Sequence, residues 1–316
     1  MIKDNYLYST VYSSLNEFLP ENNCTYFYGH STEGRSYIAE DLISKYSHFV
    51  RFVEIKEIAH DIILDISSNT EYNLRSSDSM KGFLSPYKSS LIYIDSSGLN
   101  NRICAALLKN AYKCFKQLKF KDIKIIYAEP ATYKVIQFST EGIFNDLSER
   151  IEGIEPLPGF SSIIPYGSKD TFFIALLGFE GGRFKYILEN IQPTKGTIYP
   201  VIGVPGFRAE YPFVAYWGNR RPLDDKDIWC NIKYAAANSI VDIYTLLAKM
   251  LKSSPSGRLK IAPIGTKPHA IGAILFAIKH PLKVELIYDN PKRVKKRTDG
   301  VGKIIECSVY KLLKEK

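Results

Sequence analysis

The residues best suited to chemistry sit in short turns, and two of these turns repeat one order. Gly29-His30-Ser31-Thr32-Glu33-Gly34-Arg35 and Gly178-Phe179-Glu180-Gly181-Gly182-Arg183 each run Gly, then Glu, then Gly and Arg. The guanidinium forks of Arg35 and Arg183 match the oxygens of a phosphate or carboxylate. Glu33 and Glu180 would supply acid/base chemistry in an enzyme, provided burial shifts their pKa values. The plainer alternative is a Glu–Arg ion pair at a helix start, worth about 0–1 kcal/mol when exposed.

A third turn reads Gly265-Thr266-Lys267-Pro268-His269. Gly265 permits close backbone approach, Thr266 offers a hydroxyl and Lys267 a positive charge. Pro268 suits the first turn of a helix, and the N–H groups of a helix start favour phosphate. Gly265, Thr266, Lys267 and His269 are therefore expected to hold phosphate or another anion. The alternative is an ordinary capped helix with Lys267 in solvent and His269 packed inside. The spacing is not that of a G-x-x-x-x-G-K-[ST] loop.

Asp95-Ser96-Ser97-Gly98-Leu99-Asn100 is a fourth turn. Asp95 could hold a ribose hydroxyl or act as a base. Ser97 and Asn100 could meet a ligand or cap the following helix. No G-x-S-x-G elbow surrounds Ser97. Asp289 ends a later apolar run and could also meet a ribose. The basic run Lys292-Arg293-Val294-Lys295-Lys296-Arg297 stands close behind it and could contact polyphosphate or nucleic acid, or simply be solvated. With no H-E-x-x-H pattern and no C-x-x-C pair, neither a metal nor a cofactor is expected.

These turns need strands and helices to position them. Apolar runs rich in Ile, Val, Phe and Tyr predict strands over 25–29, 50–55, 62–66, 90–94, 123–127, 171–177, 197–204, 259–263 and 283–288. Helical periodicity falls over 35–46, 102–118, 183–191, 231–251 and 268–279. Such alternation predicts an α/β fold with mainly parallel sheets covered by helices. Ligands then bind beyond the carboxyl ends of the strands, where the candidate residues lie. The segment 203–223, with Pro205, Pro212, Pro222 and several aromatic residues, reads as a long irregular loop. Asp224-Asp225-Lys226-Asp227 reads as a helix start.

The chain has 316 residues, long enough for two domains. Matching order of the turns suggests two related Rossmann-like halves and an internal duplication. The Pro- and Gly-bearing stretch 151–169 marks the boundary, giving domains of 1–155 and 156–316, with an interdomain cleft as the expected ligand site. An apolar share of 45% and a charged share of 24% exclude a disordered chain. Lys and Arg number 42 against 33 Asp and Glu, a net charge of +9 that suits an anionic partner. No apolar stretch reaches the roughly 18 residues of a membrane span, and Met1–Tyr6 has no signal-like apolar core. With 5 cysteines, an odd number, a reducing cytoplasm is expected.

The strand, the Gly265-Thr266-Lys267-Pro268 turn and the apolar helix after it resemble the Gly-Thr-Lys region of CARF-type Rossmann-like domains, over 259–288. Those domains sense nucleotide second messengers in prokaryotic defence systems. The resemblance implies a stand-alone sensor, a partner subunit, or an enzyme derived from the sensor fold. Three functions are thus expected to compete: a regulatory protein binding a nucleotide-like, phosphate-bearing ligand; a nucleotide or sugar-phosphate hydrolase or transferase using Glu33, Asp95 or Glu180; and a protein- or nucleic-acid-binding subunit of a larger defence complex.

Overall fold

The protein is described by a computed structural model over residues 8–133, 147–161, 170–295 and 297–314. In chain order the first elements are β1 (Ser9–Tyr12), β2 (Cys24–Tyr28), α1 (Ile38–Tyr46), β3 (Val50–Ala59), β4 (Ile62–Asp65), β5 (Thr70–Asn73), α2 (Ser77–Leu84), β6 (Leu91–Asp95), α3 (Asn101–Cys114) and β7 (Ile123–Tyr133). Then come β8 (Ser148–Ile151), β9 (Glu155–Pro156), β10 (Phe172–Leu176), α4 (Gly181–Ile191), β11 (Ile198–Gly203), α5 (Tyr211–Lys226), β12 (Lys233–Ala235), α6 (Ile240–Ser253), β13 (Leu259–Pro263), α7 (Lys267–Lys279), β14 (Val284–Tyr288) and β15 (Pro291–Arg293). The last are β16 (Thr298–Ser308) and α8 (Val309–Lys314).

Two compact units result: Met1–Lys134 with Lys295–Lys316, and Val135–Val294. This differs from a division at 155/156. The reason is β16, which pairs antiparallel with β7 and so returns the end of the chain to the first unit. Gly300 and Gly302 interrupt the apolar pattern of β16, so only its pairing reveals it.

The first unit holds one sheet in the order β1-β16-β7-β6-β2-β3-β4-β5. Its central strands β7, β6, β2 and β3 run parallel, and antiparallel strands extend it on both sides. Tyr26, Tyr93 and Ile126 pack with Ile38 and Leu42 of α1 on one face. The alternate residue Phe27 packs on Phe83 of α2, with ring centroids 5.1 Å apart.

The second unit holds a sheet in the order β12-β11-β10-β13-β14-β9, parallel except for β9. Phe173 and Ala175 of β10 pack under Phe184 and Ile187 of α4 and Ala215 and Leu223 of α5. Ile174 and Leu176, which point the other way, are equally buried. Beside this sheet β15 and β8 form a two-stranded ribbon.

In each unit the chain moves outward from a first central strand and then crosses to its other side. The reversal falls between β2 and β6 in one unit and between β10 and β13 in the other. That is the Rossmann-like α/β arrangement. The shared order is common to Rossmann sheets in general and does not make one half a copy of the other.

The segment expected to be a loop over 203–223 is helical from Tyr211. Pro212 sits in the first turn, where its missing N–H costs nothing. Pro222 lies inside the helix, and Gly218 one turn earlier lets α5 approach the turn after β10, since a Cβ there would lie 2.1 Å from the Phe179 carbonyl oxygen. The acidic group at 224–227 consequently closes this helix and does not open one. No helix among the described residues is long and apolar enough to cross a membrane.

Candidate functional site

Each unit places its candidate residues at the carboxyl ends of the parallel strands, in loops that close on each other through glycine. A Cβ on Gly98 would lie 1.6 Å from the carbonyl oxygen of Gly29. In the second unit a Cβ on Gly178 would lie 3.3 Å from the Cα of Gly265, and one on Gly265 would lie 2.5 Å from the Leu177 carbonyl oxygen. In both units the loops after the two strands at the reversal point therefore touch. Packing within the chain accounts for Gly265, where close approach of a ligand had been expected.

In the first unit Glu33 is buried at the turn after β2. Its carboxylate accepts from Arg35 Nε at 2.8 Å and from the Thr298 hydroxyl at 2.9 Å, and Arg297 closes on its other oxygen. Burial alone would raise the Glu33 pKa, but the two guanidinium groups outweigh it and hold the value at about 2. Arg35 Nη1 also donates to the Ala128 carbonyl at 2.9 Å. Both residues are thus engaged inside the unit, Arg35 with the chain's own acceptors. Glu33 is held ionised far below neutral pH, which does not suit a general acid or base.

The Ala128 N–H donates to Ser97 Oγ at 2.8 Å, and the Ser97 N–H donates to Asp95 Oδ1 at 2.8 Å. The Tyr26 hydroxyl reaches Asp95 Oδ2 at 3.2 Å. Burial pushes the Asp95 pKa up to about 6, against the opposing hydrogen bonds of Ser97 and Tyr26. Asn100 caps α3, its Oδ1 accepting from the Ile103 N–H at 2.9 Å, and its amide donates to Glu57. Asn100 therefore takes the capping role that formed the alternative to ligand contact, whereas Ser97 does not cap α3 and its hydroxyl instead ties this turn to β7.

The second unit repeats the clamp with different geometry. Glu180 accepts from Arg183 Nη1 at 3.3 Å and from Arg293 Nη1 at 2.7 Å. The fork of Arg183 is filled by Asp289: Nε lies 2.7 Å from Oδ2 and Nη2 lies 2.6 Å from Oδ1. Arg183 Nη1 adds a bond of 2.8 Å to the Ile264 carbonyl, just before Gly265. Arg183 and Asp289, expected to face a ligand, recognise each other. The basic run is likewise explained in part by protein contacts. Arg293 serves Glu180, Arg297 serves Glu33, and Lys292 lies 3.3 Å from Glu149; Lys296 lies outside the described residues. Nothing local in the sequence announces Arg293 and Arg297 as partners of carboxylates more than a hundred residues away.

The start of α7 is built differently. Thr266 is the N-cap: its Oγ1 accepts from the His269 N–H at 3.4 Å and donates to the Ala237 carbonyl at 2.8 Å. Lys267 takes the first helical position and is half-buried, followed by Pro268. His269 is fully buried, with Nε2 3.0 Å from the Ala236 carbonyl oxygen and Nδ1 without a partner. Burial pulls its pKa down to about 4, so the ring is neutral near pH 7. The positive end of α7, with Lys267 as its first residue, thus lies at the carboxyl end of β13.

No family model matches the chain, and no curated protein matches it. Solved structures similar to it include a GDP-L-fucose synthetase from Naegleria fowleri bound to NADP. The identity is 10%, over 90% of this chain and 86% of that chain, with a TM-score of 0.23. A second structure of a GDP-L-fucose synthetase from the same organism gives 8% identity over 90% and 87%, again with a TM-score of 0.23. The Rossmann-like assignment rests on strand order.

Proposed function

We propose that this chain is a regulatory protein that binds a small anionic, nucleotide-like ligand at the start of α7. The observation that carries the reading is the joint placement of the Thr266 cap, Lys267 and the α7 N-terminus at the carboxyl end of a central parallel strand. Helix starts in that position favour phosphate. The likeness of 259–288 to CARF-type domains supports a nucleotide messenger and a place in antiviral defence. Glu33 and Glu180 are bound up in ion pairs, which supports binding over turnover. Thermal shift and calorimetry with inorganic phosphate and with mono-, di- and cyclic oligonucleotides test the proposal. Saturable binding weakened by Lys267→Ala is expected; a folded protein that binds none of them overturns it.

A second reading, a nucleotide or sugar-phosphate hydrolase or transferase, draws on Asp95, whose pKa of about 6 suits proton transfer near neutrality. Turnover abolished by Asp95→Asn with binding retained would favour it; an intact ligand after long incubation with wild type would remove it.

A further inference from the structure

The solvent face of α5 carries large aromatic rings where a surface helix ordinarily carries polar groups. Phe213 is 74% exposed and Trp217, one turn later, 44%. Glu210 at the N-cap and Arg220 continue the same stripe, and both are exposed. Tyr216 and Tyr234 flank it, their hydroxyls in contact. The spacing of Glu210, Phe213, Trp217 and Arg220 alternates three and four residues. That is the repeat of a seam along which two helices pack.

We propose that this face pairs with the same face of a second copy of the chain, α5 against α5 in antiparallel orientation. The face is its own complement in that arrangement. With the two-fold axis beside Ala215, Phe213 meets the Trp217 position of the other copy and Trp217 meets the Phe213 position. The same axis brings Arg220 opposite Glu210, twice. Such an isologous contact needs self-complementary apolar and charged positions, and this stripe has both. Within one protomer Glu210 pairs with Arg208 at 2.8 Å and Arg220 with Asp224 at 3.4 Å. These pairs are about half exposed, so they exchange partners at little cost. The pairing does not depend on the ligand reading, because α7 takes no part in it.

Sedimentation velocity of the full chain across micromolar concentrations tests the proposal. Wild type is expected to dimerise, and Trp217→Ala and Arg220→Glu are each expected to sediment as monomers with unchanged circular dichroism. The charge exchange Arg220→Glu with Glu210→Arg should restore the dimer. The proposal is overturned if wild type is monomeric throughout, whether or not it then binds an oligonucleotide or another protein. It is also overturned if folded single variants remain dimers, or if the folded double variant stays monomeric.

Discussion

Arg183 and Asp289 meet as a fork on a carboxylate, with nitrogen–oxygen distances of 2.6 and 2.7 Å, and Asp289 is completely buried. The pair ties the start of α4 to the end of β14. Taking two ions out of water is repaid only while both are present. Arg183→Met should therefore cost on the order of 3–5 kcal/mol in urea unfolding, because Asp289 and Glu180 lose their shared partner. Arg183→Met as stable as wild type would show that the pair does not hold the second unit together.

The glycine contact in the first unit makes a steric prediction. Gly98→Ala sets a methyl group 1.6 Å from the Gly29 carbonyl oxygen, so the two loops must part. A loss of about 3 kcal/mol or more is expected. Gly182→Ala is the control, since nothing lies within 4 Å of its added Cβ. Thermal unfolding of both variants decides the point: equal melting temperatures would refute the contact.

Asp95 and His269 give opposite pH dependences. The Asp95 pKa rises from 3.8 to about 6, so its contribution is full below pH 3.8 and is lost as pH rises through about 6. Asp95→Asn should remove that loss. The His269 pKa falls from 6.5 to about 4, so its contribution is present above pH 6.5 and is lost as pH falls through about 4. His269→Asn should flatten that acid limb. Melting temperature against pH, variant minus wild type, should slope in opposite directions for the two.

At the start of α7, capping and charge should separate. Thr266→Ala removes the hydroxyl that accepts the His269 N–H and should cost about 1 kcal/mol of stability. Lys267→Ala leaves the Thr266 cap in place and should weaken binding of phosphate-bearing ligands with the fold retained. Equal phosphate or nucleotide affinity in wild type and Lys267→Ala would take Lys267 out of the site.

The sequence by itself determined the parts that depend on near neighbours. Apolar runs marked β2, β3, β6, β7, β10, β11, β13 and β14, and helical periodicity marked α3 and α7. Strand and helix periods and capping act within a few residues, so a single chain displays them. It also placed Glu33, Arg35, Asp95, Glu180, Arg183 and Asp289 correctly at strand ends. Only the tertiary structure decided what those residues touch. Arg297 finds Glu33, Arg293 finds Glu180 and Arg183 finds Asp289 because the sheets bring distant segments together. The same holds for β16, whose place beside β7 is fixed by inter-strand hydrogen bonds, which leave no local trace around Gly300 and Gly302. It holds too for α5, where buried Val214, Ala215 and Leu223 anchor a helix in a segment whose prolines and aromatic residues read locally as a loop. Burial then set the charges: the same residue types that looked free to meet a ligand lie in the interior, where an unpaired ion is too costly to keep.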